Sequence, residues 1–310
     1  MRLGIYCENG IDEKILNAIR DSSEMNLASC FSIKSKNINN ELSPNLKYFS
    51  DYHQFVDYNN AIIFYDSVSY QEIEYAIKHL KHIFLHHLSK LSISELTNIK
   101  QLAEEANVQV FTQFNKDYYT KIFKIFSIIE QPKYIETNFN LNNIAANENN
   151  ETILEMISED LLSIISLNKS EVKKITTKTT SLDNKKTDVV NVYIEFYNQS
   201  IAQMTVSSIS PENSHTLKIY DNNKLITVDL MNSKSWIITK KDSLNEQSLF
   251  SENIGNLVVN PIFACSESHS SIALKDFSEA FYQNNNRKSN LNLMINSLKL
   301  KNEIISKLNI

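Results

Sequence analysis

The apolar pattern of the chain changes period once, near residue 133, and that change limits what each half can fold into. Before it, short apolar runs at 3–7, 27–31, 61–64, 83–85 and 108–111 alternate with stretches at 11–19, 73–79 and 93–106 whose apolar residues recur at helical spacing. Strands alternating with helices bury their strands on both faces, which is the pattern of a doubly wound parallel sheet. After it, a helical stretch at 152–167 precedes strand-like runs at 172–177, 189–196, 201–208, 216–220, 226–230 and 236–239, broken by polar turns such as Asp221-Asn222-Asn223. Strand following strand through short turns predicts a large, mostly antiparallel sheet. Helical patterns at 268–282 and 291–308 close the chain, and the Asn-Lys-rich stretches at 139–150 and 181–187 read as solvated connectors. The expected organisation is an α/β domain over 1–118 and an α+β domain over 119–310.

Composition excludes several classes of function. Only 3 glycines occur in 310 residues, where average usage would supply about 22, so a glycine-rich phosphate cradle is disfavoured from the start. A net charge of -5 with no basic run argues against nucleic acid as a partner. Cys7, Cys30 and Cys265 form no C-x-x-C pair, which speaks against a disulfide framework or a thiolate zinc site and fits a reducing compartment. The segment from Met1 to Tyr6 does not read as a signal peptide, and no run approaches the roughly 18 apolar residues of a membrane span. A cytoplasmic protein without membrane contact is expected.

In an open α/β sheet, ligands sit beyond the carboxyl ends of the strands, here Cys7, Phe31, Phe64 and Leu85. Leu80-Lys81-His82-Ile83-Phe84-Leu85-His86-His87-Leu88 resembles the G-K-H-V-[FL]-x-E-K-P segment of the Gfo/Idh/MocA family of NAD(P)-dependent sugar oxidoreductases. The turn Leu102-Ala103-Glu104-Glu105-Ala106-Asn107-Val108 is similar to the helix-strand turn that follows it there, and Asp51-Tyr52, Phe114-Asn115 and Asn260-Pro261 match shorter signatures. The order of elements agrees over nearly the whole chain, with the second half most like the branch that acts on UDP-sugars. The resemblance implies a Rossmann-like first domain, NAD or NADP as cofactor, a small sugar-like ligand, and pairing of subunits through the open face of the second sheet. The pairing would be with a second copy or with a paralogue.

The departures from that pattern fall on its chemistry. The family's G-x-G-x-x-G positions carry Cys7, Asn9 and Asp12, the ribose-binding acid aligns with Ser32, and the T-P loop reads Tyr65-Asp66. Each fingerprint glycine serves a physical need, whether a tight turn, close approach of the backbone to the pyrophosphate, or close helix-strand packing. The family's catalytic lysine aligns with His87. In its D-x-x-x-H-D pattern the acid/base histidine aligns with Glu159, the leading aspartate with Glu155, and the last aspartate is kept as Asp160. Joint loss of fingerprint, lysine and histidine implies a binding or scaffold protein that has left redox catalysis. The alternative is an atypical NAD(P)-dependent oxidoreductase acting on a sugar or sugar nucleotide.

Two further groupings have a chemical reading and a plainer one. His87 and Glu159 would face each other across the cleft as a general acid/base pair, or stand as remnants of a dead site. His79, His82, His86 and His87 form the one histidine cluster, but no thiolate or well-spaced carboxylate completes a metal site, so a turn with exposed histidines is the expectation and no metal is assigned. The stretch 118–126, apolar at helical spacing, reads as a core helix rather than a docking face. Ser207, Ser208 and Ser210 read as sheet residues, with no nucleophile elbow around them.

Overall fold

A computed structural model describes residues 1–8, 13–22, 24–32, 46–66, 68–86, 88, 91–113, 125, 128–142, 151–182, 187–232, 234–240, 252–254, 256–262, 269–282 and 290–308. The chain divides into two compact units, Met1–Lys116 with Glu267–Asn296, and Asp117–Ser266 with Ser297–Ile310. A segment far along the chain therefore returns to the first unit.

In the first unit, β1 (Arg2–Tyr6), β2 (Asn26–Phe31), β3 (Lys47–Phe49), β4 (Ala61–Phe64), β5 (His82–Leu85) and β6 (Val110–Thr112) form one parallel sheet. Its order is β3-β2-β1-β4-β5-β6, so the winding reverses between β1 and β4. The helices are α1 (Glu13–Arg20), α2 (Tyr52–Tyr58), α3 (Tyr70–Lys78), α4 (Ile93–Ala106) and the returning α6 (His269–Tyr282). Alternate residues of β1 serve opposite faces, and both faces are buried. Leu3, Ile5 and Cys7 pack with Ile15 and Ile19 of α1 and with Leu274 and Phe277 of α6. Gly4 is needed on the other face, because a Cβ there would lie 2.7 Å from a ring carbon of Phe55 and would strike Asn59. Asn59 is itself buried and hydrogen-bonded to Ser29 and to the Phe55 carbonyl.

The helices start where their caps dictate. Asp51 accepts from the Gln54 amide, and Ser69 with Glu72 and Ser92 with Glu95 form reciprocal capping boxes. Two helix ends and the turn between Phe196 and Ile201 show the glycine shortage directly. Leu80, Asn107 and Gln199 adopt φ of 60°, 54° and 68°, positions where glycine is the usual occupant. Leu80 follows α3 in a Schellman arrangement, with the Lys81 amide donating to the Ala76 carbonyl at 3.0 Å, and its side chain is 65% exposed.

The second unit is a nine-stranded sheet among the described residues, in the order β14-β15-β13-β12-β11-β7-β10-β9-β8. These are β7 (Pro132–Asn142), β8 (Val172–Thr180), β9 (Val189–Phe196), β10 (Ile201–Ser207), β11 (Ile209–Asp221), β12 (Lys224–Asp229), β13 (Lys234–Lys240), β14 (Glu252–Ile254) and β15 (Leu257–Ile262). All pairings are antiparallel except β7 with β10. One face packs against α5 (Glu151–Leu167) and the end of α7 (Leu291–Leu308), through Ile153, Ile157, Leu161, Ile304 and Leu308. The other carries Tyr134, Glu136, Gln203, Tyr193, Lys218 and Tyr220, with the Tyr134 hydroxyl donating to Gln203 and Lys218 paired with Glu136.

The doubly wound sheet and the large antiparallel sheet are as expected from the sequence. The connector expected at 139–150 is corrected in its first part: β7 runs to Asn142, pairing with β11 and β10. The helix expected at 118–126 lies outside the described residues apart from Ile125, which is buried.

Candidate functional site

Beyond the carboxyl ends of the first sheet the ladder continues by one residue per strand. Cys7 donates to the Phe31 carbonyl at 3.0 Å, Tyr65 to that of Tyr6 at 2.9 Å, His86 to that of Phe64 at 2.9 Å and Gln113 to that of Leu85 at 2.9 Å. Glu8 is thus the first residue past β1 whose amide is not taken up by the sheet. That amide donates to Oδ2 of Asp66, which stands two residues past β4. Tyr6 pairs with Phe64 in the β1–β4 register, so Glu8 and Asp66 are the pair that continues it. They meet where the winding of the sheet reverses, the place at which doubly wound folds hold their ligands.

Acidic and aromatic side chains gather at the end of β1. Tyr6 is buried, and its hydroxyl donates to Glu72 Oε1 at 2.9 Å. Burial first, then the carboxylates of Glu72, Glu8 and Asp66, push its phenol well above the usual tyrosine value. Tyr52 donates to the Glu72 carbonyl, and burial with the same carboxylate raises its phenol too. Tyr6, Phe31, Phe64 and Tyr52 pack as an aromatic group with ring centroids 5.3–6.2 Å apart, which leaves their side of the sheet apolar.

The sequence-derived positions are distributed unevenly around this point. Cys7 is fully buried and turns away from it, with its Sγ 3.7 Å from that of Cys30. Contact with Cys7 and then burial push the Cys30 thiol up. Ser32 follows β2 directly and is half-buried, and Tyr65 stacks on His86 with ring centroids 4.6 Å apart. Asn9, Asp12 and His87 lie outside the described residues. The other histidines of the cluster diverge. His79 stacks on Tyr75 and contacts its carbonyl, His82 accepts the Gln109 amide at 3.0 Å and meets the Phe281 ring, and His86 stays with Tyr65. Burial pushes the His82 imidazole below its ordinary value.

In the second unit, α5 turns Glu159 and Asp160 in different directions. Glu159 is half-buried, whereas Asp160 is fully buried, with its Oδ1 2.7 Å from Nε2 of His215 on β11. The imidazole lies flat on Phe139 of β7, with centroids 3.8 Å apart and planes 9° apart, and is buried. An aspartate holding an imidazole this way fixes the ring's orientation and joins helix to sheet. Sequence reading named Asp160 but not His215. The available signal was alternation: His215, Leu217 and Ile219 occupy successive same-face positions of one strand, and an inward histidine needs a partner. Glu8 and Asp66 were missed as a pair because their alignment depends on register, which the sequence does not display.

No protein-family model matches the chain, and no curated protein sequence does. Solved structures do match. UDP-N-acetylglucosamine 3-dehydrogenase GnnA from Acidithiobacillus ferrooxidans superposes with a TM-score of 0.75 at 14% identity, covering 99% of this chain and 97% of that one. The chain has the two-domain fold of the Gfo/Idh/MocA-type dehydrogenases. The dehydrogenase MviM from Clostridium difficile gives 0.75 at 14% identity, covering 99% of each chain. An NAD-binding oxidoreductase from Klebsiella pneumoniae gives 0.76 at 10% identity, covering 99% of this chain and 96% of that one. The cofactor that this fold implies is a dinucleotide, whose pyrophosphate is held at the turn after β1. The described part of that turn does not fit it: the Glu8 amide is engaged by the carboxylate of Asp66.

Proposed function

We propose that the chain is a Gfo/Idh/MocA-type oxidoreductase homologue that has left dinucleotide-dependent catalysis and acts in the cytoplasm as a binding or scaffold protein. The observation that carries this reading is the contact between the Glu8 amide and the Asp66 carboxylate at the reversal point of the sheet. It agrees with Cys7, Asn9 and Asp12 in place of the fingerprint glycines, and with His87 and Glu159 in place of the family's lysine and histidine. Asp160, the remaining family position, is committed to His215 inside the second unit.

The partner in this reading is a second copy or an active paralogue, paired through the sheet face opposite α5. That face carries Tyr193 and Tyr220, 37% and 40% exposed, beside a Glu136–Lys218 ion pair, and tyrosines are the residues in which protein interfaces are enriched. A turnover assay with UDP-sugars and each nicotinamide cofactor tests the loss of catalysis. The expected outcome is no hydride transfer above a protein-free control, and sustained turnover would restore the alternative of an atypical NAD(P)-dependent sugar or sugar-nucleotide oxidoreductase. Sedimentation of the purified chain tests the pairing, for which a dimer is expected with the chain alone, or a mixed complex on adding a paralogue.

A further inference from the structure

We infer that the carboxylate of Asp66 is an internal anion, seated on the first amide past β1 that the sheet leaves free, at the reversal point of the winding, and that this contact excludes the dinucleotide. The inference rests on the reading that the chain does not bind dinucleotides, and it names the residue responsible.

Three features carry it. The first is place: Glu8 and Asp66 extend the in-register β1–β4 pairing past the end of the sheet, at the point where the winding reverses. The second is chemistry. A backbone N–H beyond a parallel strand is the kind of donor that holds phosphate oxygens, and a carboxylate on such an amide makes a charge-assisted hydrogen bond of the same type. Asp66 therefore takes the role of the anion rather than lying beside it. The third is that the carboxylate is held in place. The Tyr65 amide is bonded to the Tyr6 carbonyl, which fixes the backbone that presents Asp66, and the turn is short enough that the side chain reaches Glu8 directly. On the neighbouring side of β1, Glu72 Oε1 accepts the hydroxyl of the buried Tyr6 at 2.9 Å and adds a further carboxylate. An incoming pyrophosphate has to displace the Asp66 carboxylate.

Two substitutions separate the parts of this contact. Asp66→Ala removes both the acceptor and the charge, and Asp66→Asn keeps an acceptor but removes the charge. Each is titrated by calorimetry with NAD+ and with NADPH beside the unaltered protein, after circular dichroism melting has established that it is folded. Hydrogen exchange at the Glu8 amide is followed in parallel. The expected result is faster exchange at Glu8 in Asp66→Ala and dinucleotide affinity at least about tenfold above the limit for the unaltered protein, as removal of one nearby unit charge predicts. Asp66→Asn is expected to tighten binding as well, and it carries the test alone if the alanine variant does not fold. Folded variants that bind no better than the unaltered chain would overturn the assignment while leaving the proposed function standing. Micromolar binding by the unaltered chain would instead overturn the proposed function itself.

Discussion

Replacing His215 with alanine tests whether Asp160 serves the architecture of the second unit. The side chains of Asp160 and His215 are 0% and 6% exposed, and their 2.7 Å contact lies between α5 and β11. The substitution leaves a carboxylate in the core without its imidazole and strips the flat contact with Phe139. Breaking a buried pair by removing one partner costs about 3–5 kcal/mol. For a unit of this size that corresponds to a fall in Tm of roughly 6–20 °C. Trp236 is the one tryptophan in the chain and lies on β13 of the same sheet, so its fluorescence during thermal or denaturant unfolding reports this unit. The double variant Asp160→Leu with His215→Leu is expected to recover much of the loss, since replacing both partners of a buried hydrogen bond by apolar groups of similar shape is often nearly neutral. A His215→Ala variant that loses less than about 1 kcal/mol, within the range of an ordinary hydrogen bond, would refute the structural role.

Three other outcomes follow from particular contacts. Gly4→Ala places a methyl against Phe55 and Asn59 and is expected to cost about 1–3 kcal/mol through overpacking, measured by denaturant titration. Leu80→Gly relieves a left-handed backbone at an exposed leucine and is expected to gain about 1 kcal/mol, seen as a rise in melting temperature. The amides of Glu130, Gln131 and Asn222 and the Lys224 ammonium outweigh burial and hold the Asp221 carboxyl below its usual value, so its contribution to stability is complete above the unfolded-state pKa of about 4 and is lost as pH falls through the lower folded value. Asp221→Asn is accordingly expected to be less stable than the parent near neutral pH, with the gap closing in acid when both are melted across pH.

The first sheet was legible because each strand is a short apolar block framed by helical periodicity. β3 and α2 were not, since three residues, Lys47–Phe49, carry too little pattern, and the Asp51 cap precedes a helix of only seven. β7 was misread for a compositional reason. Asn138, Asn140 and Asn142 resemble a solvated loop, yet they alternate with Thr137, Phe139 and Leu141 at the two-residue period of a strand. The return of α6 to the first unit depends on contacts such as Phe277 with Phe84 and Phe111, which no local signal announces. The candidate site shows the same division. Residue substitutions at the fingerprint could be read directly, whereas the Glu8–Asp66 and Asp160–His215 contacts join positions 58 and 55 residues apart. Such pairs arise from register and from packing of helix on sheet, and the sequence holds only one half of each at any position.

The most direct test of the account is calorimetric titration of the purified, unaltered chain with NAD+, NADH, NADP+ and NADPH, accompanied by thermal shift. With the Asp66 carboxylate on the Glu8 amide at the reversal point, no saturable heat and no rise in melting temperature are expected at millimolar dinucleotide. Micromolar binding of any one of the four would contradict it, because the crevice would then hold a pyrophosphate despite the Asp66 carboxylate.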